Sequence, residues 1–100
     1  MGNRSFPTYY SPIGFQKLTV DTAVGLTLPA TPQVRGVQLT VENYNIRYRI
    51  DGSDPDSTTG HLLYPTDVLE LLNVDAIGNL RVIKVTSAAV VQITYFGGGV

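Results

Sequence analysis

Residues 34–42, VRGVQLTVE, place Val37, Leu39 and Val41 on one side of an extended chain and Gln38, Thr40 and Glu42 on the other. Successive side chains of an extended chain point to opposite faces, so this run has one face to bury and one to leave in water. The same alternation recurs along the chain. FQKLTVD (15–21) and VGLTL (24–28) precede it; Ile46, Tyr48 and Ile50 alternate with Arg47 and Arg49; VLELL (68–72), LRVIKVTS (80–87) and VVQITYF (90–96) complete the series. Pro29 and Pro32, the Glu-Asn-Tyr-Asn stretch at 42–45, and Ser87-Ala88-Ala89 punctuate these runs as loops and turns. Seven or eight short strands in 100 residues predict an all-β fold, an antiparallel sandwich or small barrel, and of these an antiparallel β-sandwich of Ig-like or jelly-roll-like type is expected. The one helical expectation is a short turn at Asp75-Ala76-Ile77, hemmed in by Asn73 and Gly78.

The expected division is an extended N-terminal arm over 1–14, the sandwich over 15–96 and a flexible Gly-rich tail over 97–100. Pro7 and Pro12 keep the arm extended. Phe6, Tyr9, Tyr10 and Ile13 make it adhesive, so it either folds back over its own core or lies across a neighbouring subunit. Charged residues are 15% of the chain, where an average soluble domain has about 25%. Much of the surface is therefore expected to be covered by partner subunits.

Seven basic and eight acidic side chains, spread without a stripe, argue against nucleic acid as a partner. The absence of a polybasic or strongly amphipathic segment argues against a membrane surface. With no cysteine, disulfides and thiolate metal sites are excluded. Arg4 is followed by no continuous apolar run, so the start does not read as a signal peptide.

The stretch RYRIDGSDPDSTTGHLLYPTD (47–67) holds the densest group of chemically capable residues. Asp51, Asp54 and Asp56 offer hard oxygen ligands, but their spacing, interrupted by Pro55, is not that of a calcium loop. Asp side chains in such a segment also bond nearby backbone N–H groups and hold a turn open, and that reading is preferred, with Gly52 taking an awkward backbone angle. No metal or cofactor is expected. His61, preceded by Ser57, Thr58 and Thr59, lacks an orienting third group, so no catalytic residue and no enzymatic activity are expected. Gly97-Gly98-Gly99 is followed by neither a helix nor a Lys and is not a phosphate cradle. Arg47 and Arg49 share one strand face. They either grip a carboxylate on a partner or lie on a solvated face, paired in-sheet with Glu42 or Glu70.

The run IRYRIDGSDPDSTTGHLLYPTDVLEL, followed by LRVIKVTSAAVVQITYF, resembles a group of small virion proteins of tailed bacteriophages. The shared features are an arginine-bearing strand, a D-G-x-x-P loop, a Gly-His-Leu step and a closing V-x-I-x-Y-[FY] strand, together spanning residues 34–96. YRIDGSDPDS is also similar to the small Ig-like module at the C-terminal end of chitobiase-type enzymes, an appended sandwich that is not catalytic. Both resemblances imply a sandwich and carry over no active-site residue. The first implies a capsid decoration or cement protein on the virion surface, made in the host bacterial cytoplasm. Its partners would be the major capsid protein and neighbouring copies of itself, as a homo-oligomer. The partner-binding residues expected on this reading are Phe6, Tyr9, Tyr10, Ile13, Phe15, Arg47 and Arg49. A tail, baseplate or head-fibre subunit is the alternative within the same class. A carbohydrate-binding sandwich, with tyrosines as stacking faces, is the alternative outside it.

Overall fold

The computed structural model describes residues 10–29 and 33–98. Two four-stranded antiparallel sheets face one another. The strands are β1 (Tyr10–Val20), β2 (Val24–Gly25), β3 (Val34–Glu42), β4 (Ile46–Arg49), β5 (His61–Leu63), β6 (Val68–Leu71), β7 (Arg81–Lys84) and β8 (Ala89–Gly98). One sheet runs β1-β8-β3-β6 and the other β2-β7-β4-β5. In this order the first and last strands are neighbours. Every connection but β4–β5 crosses between the sheets, which is the interleaved path of an eight-stranded jelly roll. An immunoglobulin sandwich instead groups its first, second, fourth and fifth strands in one sheet. Of the two sandwich types expected from the sequence, the chain adopts the jelly roll.

The alternation explains which residues fill the space between the sheets. Val37, Leu39 and Val41 of β3 lie in register with Tyr95, Ile93 and Val91 of β8, and all six are buried. Ile46 and Val82 close the core from the second sheet, and Val20 from β1. Their polar neighbours Gln38, Thr40, Gln92 and Thr94 line the opposite, outward face. The short helix α1 (Val74–Asn79) bridges β6 to β7. Asn73 caps it, its side-chain oxygen accepting the Ala76 N–H at 3.0 Å, and Ile77 points into the core.

Several boundaries differ from those expected. Residues 10–14, assigned to the arm, are the first residues of β1 and pair with β8 from Tyr10 opposite Gly98. The part of the arm at 1–9 lies outside the described residues. The expected tail is corrected as well: Gly97 and Gly98 belong to β8, and Gly97 is buried. A Cβ on Gly97 would lie 2.6 Å from the Gln33 carbonyl oxygen and 2.7 Å from Ile13 Cδ1, so the glycine permits close packing here rather than mobility. Residues 99–100 of that tail lie outside the described residues. Ile50, expected in β4, falls beyond its end and is exposed. Of VGLTL only Val24 and Gly25 pair with β7.

Tyr95 is the largest fully buried side chain, and its hydroxyl donates to Gln16 Oε1. That oxygen also accepts the Thr27 N–H at 3.2 Å, tying the segment after β2 to the core side of β1. Burial pushes the Tyr95 phenol from 10.0 up to about 12. The neutral form is the one the fold favours. Its contribution to stability is complete below pH 10 and is lost as pH rises through 12. Unfolding followed by circular dichroism should therefore show an alkaline loss of stability in that window. Tyr95→Phe should remove much of it while destabilising the chain by about 1 kcal/mol at neutral pH, one hydrogen bond's worth.

Candidate interaction surfaces

The 51–60 loop is an ordered turn. Asp56 and Thr59 exchange backbone hydrogen bonds of 3.0 and 3.2 Å around a tip of Ser57 and Thr58. Asp56 Oδ1 accepts from the Thr58 N–H at 2.9 Å and from the Thr58 hydroxyl at 3.1 Å. Asp51 Oδ1 accepts the Ser53 N–H at 3.3 Å. Gly52 and Gly60 have φ of +89° and +128°, angles that side-chain-bearing residues resist. At Gly60 there is also no room: a Cβ would sit 3.0 Å from the Tyr48 carbonyl oxygen and 3.1 Å from Pro55, which is buried beneath the loop.

Three arginines fasten this loop to the outer face of the β2-β7-β4-β5 sheet. Arg47 donates through Nε to the Ser57 carbonyl at 3.0 Å and through Nη1 to the Gly60 carbonyl at 2.8 Å. Arg49 makes a two-pronged pair with Asp51. Arg81 binds Asp54 at 2.8 Å. Arg49 and Arg81 are direct cross-strand neighbours, an arrangement that is repulsive for like charges unless each has its own counter-charge. Asp51 and Asp54 supply those counter-charges. The Arg49 guanidinium holds the Asp51 carboxyl below the ordinary carboxylate range, and the hydrogen bonds from Thr58 do the same for Asp56. Both groups are exposed, so these pairs order the loop more than they stabilise the chain. Among the described residues no three His, Asp or Glu side chains gather as metal ligands. His61 packs against the Tyr48 ring, with centroids 5.1 Å apart.

The residues expected to meet a partner divide between opposite faces of the sandwich. Phe6 and Tyr9 lie outside the described residues. Tyr10 opens β1 and is half-buried. Ile13 sits at the β-bulge between Pro12 and Gly14 and turns inward, packing against the core. Phe15 is 63% exposed on the outer face of the β1-β8-β3-β6 sheet. Arg47 and Arg49 lie on the other sheet and are engaged by the chain's own loop; neither pairs with Glu42 or Glu70.

The face that carries Phe15 is mostly uncharged. Phe15, Thr94, Gln38 and Glu70 form one row across its four strands, and Lys17, Gln92, Thr40 and Val68 the next. Val68, at the far edge, is 54% exposed. A second exposed group lies at the end of the sandwich where the β1–β2, β3–β4, β5–β6 and β7–β8 turns meet. Tyr44 and Tyr64 project there. Tyr64 begins a tight turn in which Asp67 N–H donates to the Tyr64 carbonyl at 3.0 Å and Thr66 takes φ +76°. Glycine or Asn is the usual occupant of that position, and a β-branched residue is strained there. Sequence reasoning passed over Lys17 and Thr66. Lys17 could have been found, two residues after Phe15 on the same strand face. Thr66 had a partial local signal in Pro65, which favours the second position of a turn whose third residue takes positive φ, and its N–H also bonds the Val41 carbonyl at 2.9 Å.

No family model, curated protein or solved structure matches the chain.

Replacing Arg47 with Ala should leave two loop carbonyls without their donor and loosen 51–60 while the sandwich stays folded. Amide exchange at Thr58 and Thr59 should accelerate by roughly tenfold, the kinetic equivalent of about 1–2 kcal/mol for a charge-assisted bond. Amides of β3 and β8 should be unchanged.

Proposed function

We propose that the chain is a non-catalytic adhesive subunit, a structural protein of a tailed-phage virion that decorates the capsid and braces the major capsid protein lattice. The observation that carries this reading is the β1 side of the molecule. There, among the described residues, the eleven-residue β1 has an open edge and presents exposed Phe15 beside a broad Thr- and Gln-rich face. Such a surface suits docking by backbone hydrogen bonds and apolar contact, repeated over many lattice sites, each weak by itself. The jelly roll is compatible with this role, since viral capsid domains use it. Lectins use it too, so the architecture alone does not select a function. The arginines are supporting elements in this proposal, since their donors are engaged by the 51–60 loop.

A lectin-like reading draws on the exposed Tyr44 and Tyr64 at the turn-bearing end, which could stack against sugar rings. A glycan array with no hits removes it. A tail or baseplate subunit would use the same adhesive chemistry, and labelling the chain in the intact particle separates it from a head protein.

Purified chain mixed with undecorated heads of the virus that encodes it should co-sediment to saturation. Phe15→Ser should weaken that binding at least severalfold without changing the thermal midpoint. Removal of residues 1–9 should abolish it, again with the sandwich intact. Normal decoration by the 1–9 deletion would overturn the role of the arm; absence of binding by the full chain would overturn the capsid assignment.

A further inference from the structure

We infer that the outer edge of β1 pairs antiparallel with β1 of a second copy, about a two-fold axis at Gln16, joining two four-stranded sheets into one of eight. This rests on the adhesive reading of β1 given above and names its partner; it does not depend on the virion.

Among the described residues, no strand pairs with the outer edge of β1, which is eleven residues long. The remaining sheet edges are short: β2 has two residues, β5 three and β6 four. The direction of the backbone groups on β1 follows from hydrogen bonds elsewhere in the sheet. Val41 donates to the Asp67 carbonyl at 3.4 Å and accepts from Thr66 at 2.9 Å, so its peptide groups point away from β8. Alternate residues of a strand point opposite ways, so Glu42 points toward β8 and meets Val90. The Val90 N–H is indeed on that side, donating to Asn43 Oδ1 at 3.2 Å. Val91 and Ile93 then point to β1, where Leu18 and Gln16 are their partners. Phe15, Lys17 and Thr19 are left with N–H and C=O groups directed out of the edge.

Described residues of the segment after β2 meet the other side of β1. Pro29 Cγ lies 3.4 Å from where a Cβ of Gly14 would be, and Thr27 bonds the Gln16 side chain. Both contacts are on the core side of β1.

Side-chain chemistry selects the register and the occupant. An axis at Gln16 sets Phe15 of each copy opposite Lys17 of the other, as hydrogen-bonded pairs. Both side chains lie on the outer face, so each aromatic ring meets an ammonium-bearing stem, twice per dimer. Moving the axis to Lys17 sets lysine against lysine, which is repulsive. Moving it to Phe15 shortens the stretch that pairs before the bulge interrupts it from Gly14–Leu18 to Gly14–Gln16. A lone edge lysine is also a device for keeping strands apart. In the Gln16 register that same lysine finds an aromatic partner instead of another charge.

The chain contains no cysteine, so introduced thiols report alone. Hydrogen-bonded antiparallel pairs have Cα atoms about 5.5 Å apart, within disulfide reach. A mixture of Phe15→Cys and Lys17→Cys proteins should form an oxidised heterodimer, and neither variant alone should. The native chain should sediment as a dimer at micromolar concentration. Lys17→Pro should sediment as a monomer that keeps its native β circular dichroism, because the N–H it removes points out of the sheet. A monomeric native chain, or cross-linking by either single variant as strong as in the mixture, overturns the inference. A monomer that still binds heads would sink self-pairing alone, while a dimer that ignores heads would sink the capsid assignment alone.

Discussion

β8 is the strand on which the architecture depends. It has β1 on one side and β3 on the other along nearly its whole length, so its backbone groups are satisfied alternately by the two neighbours. Its inward residues Ala89, Val91, Ile93 and Tyr95 form the floor of the core. Since β8 follows the other seven described strands and pairs with β1, the sheet closes only after all of them have been laid down. The contacts that define it are among the most distant in sequence, and assembly of this kind is slow relative to local hairpins. The placement of β1 at the edge follows directly, because β8 has no further side to offer and β3 is already shared with β6.

Charge is handled in a way that complements this arrangement. The chain has few charged residues, and those near the β4–β5 connection are largely spent on one another. Arg49 and Arg81 would repel across the ladder were Asp51 and Asp54 not delivered by the loop. The loop, with no large apolar side chain of its own, would have little to hold it without the arginines. Each part supplies what the other lacks, so the acidic residues are read better as the loop's fastening than as ligands or catalysts. The opposite sheet face carries Lys17, Glu42 and Glu70 among Thr, Gln, Val and Phe side chains and has no loop folded over it, so adhesive contact is proposed there rather than on the loop face.

The strands were legible in the sequence because alternation is a local property. Val37, Leu39 and Val41 could be assigned to the core from residues 34–42 alone. The helical turn at Asp75-Ala76-Ile77 and the turn character of 51–60 were legible for the same reason: Asn73 caps locally, and Asp51 and Asp56 bond residues two positions away. What the sequence concealed depends on distant partners. Gly97 looks like the start of a mobile tail until Gln33 and Ile13 are placed against it. Arg47 and Arg49 were correctly put on one face. Their partners across the loop could not be told from Glu42 or Glu70 without the strand order. Ile13 was grouped with exposed Phe15, because a bulge that turns one residue inward leaves no mark in the alternation.

An open edge of this length is a hazard for a protein that remains alone, and β1 carries the usual deterrents in Pro12, the bulge at Ile13 and Lys17. The deterrents are unevenly placed. Pro12 and the bulge guard the N-terminal part of the strand, while from Phe15 to Thr19 only one lysine stands against pairing. A strand meant to remain unpaired would also gain by hiding its aromatic, yet Phe15 is the most exposed of the large apolar residues among those described. Protection at one end and adhesion at the other is what a strand needs if it is to accept one partner in one register and refuse sliding addition of others. On the proposed pairing the bulge has a positive role: it ends the pairable segment at Gly14, which disfavours an axis at Phe15, while the Lys17 charge disfavours an axis at Lys17, so the edge would close by two-fold symmetry instead of propagating.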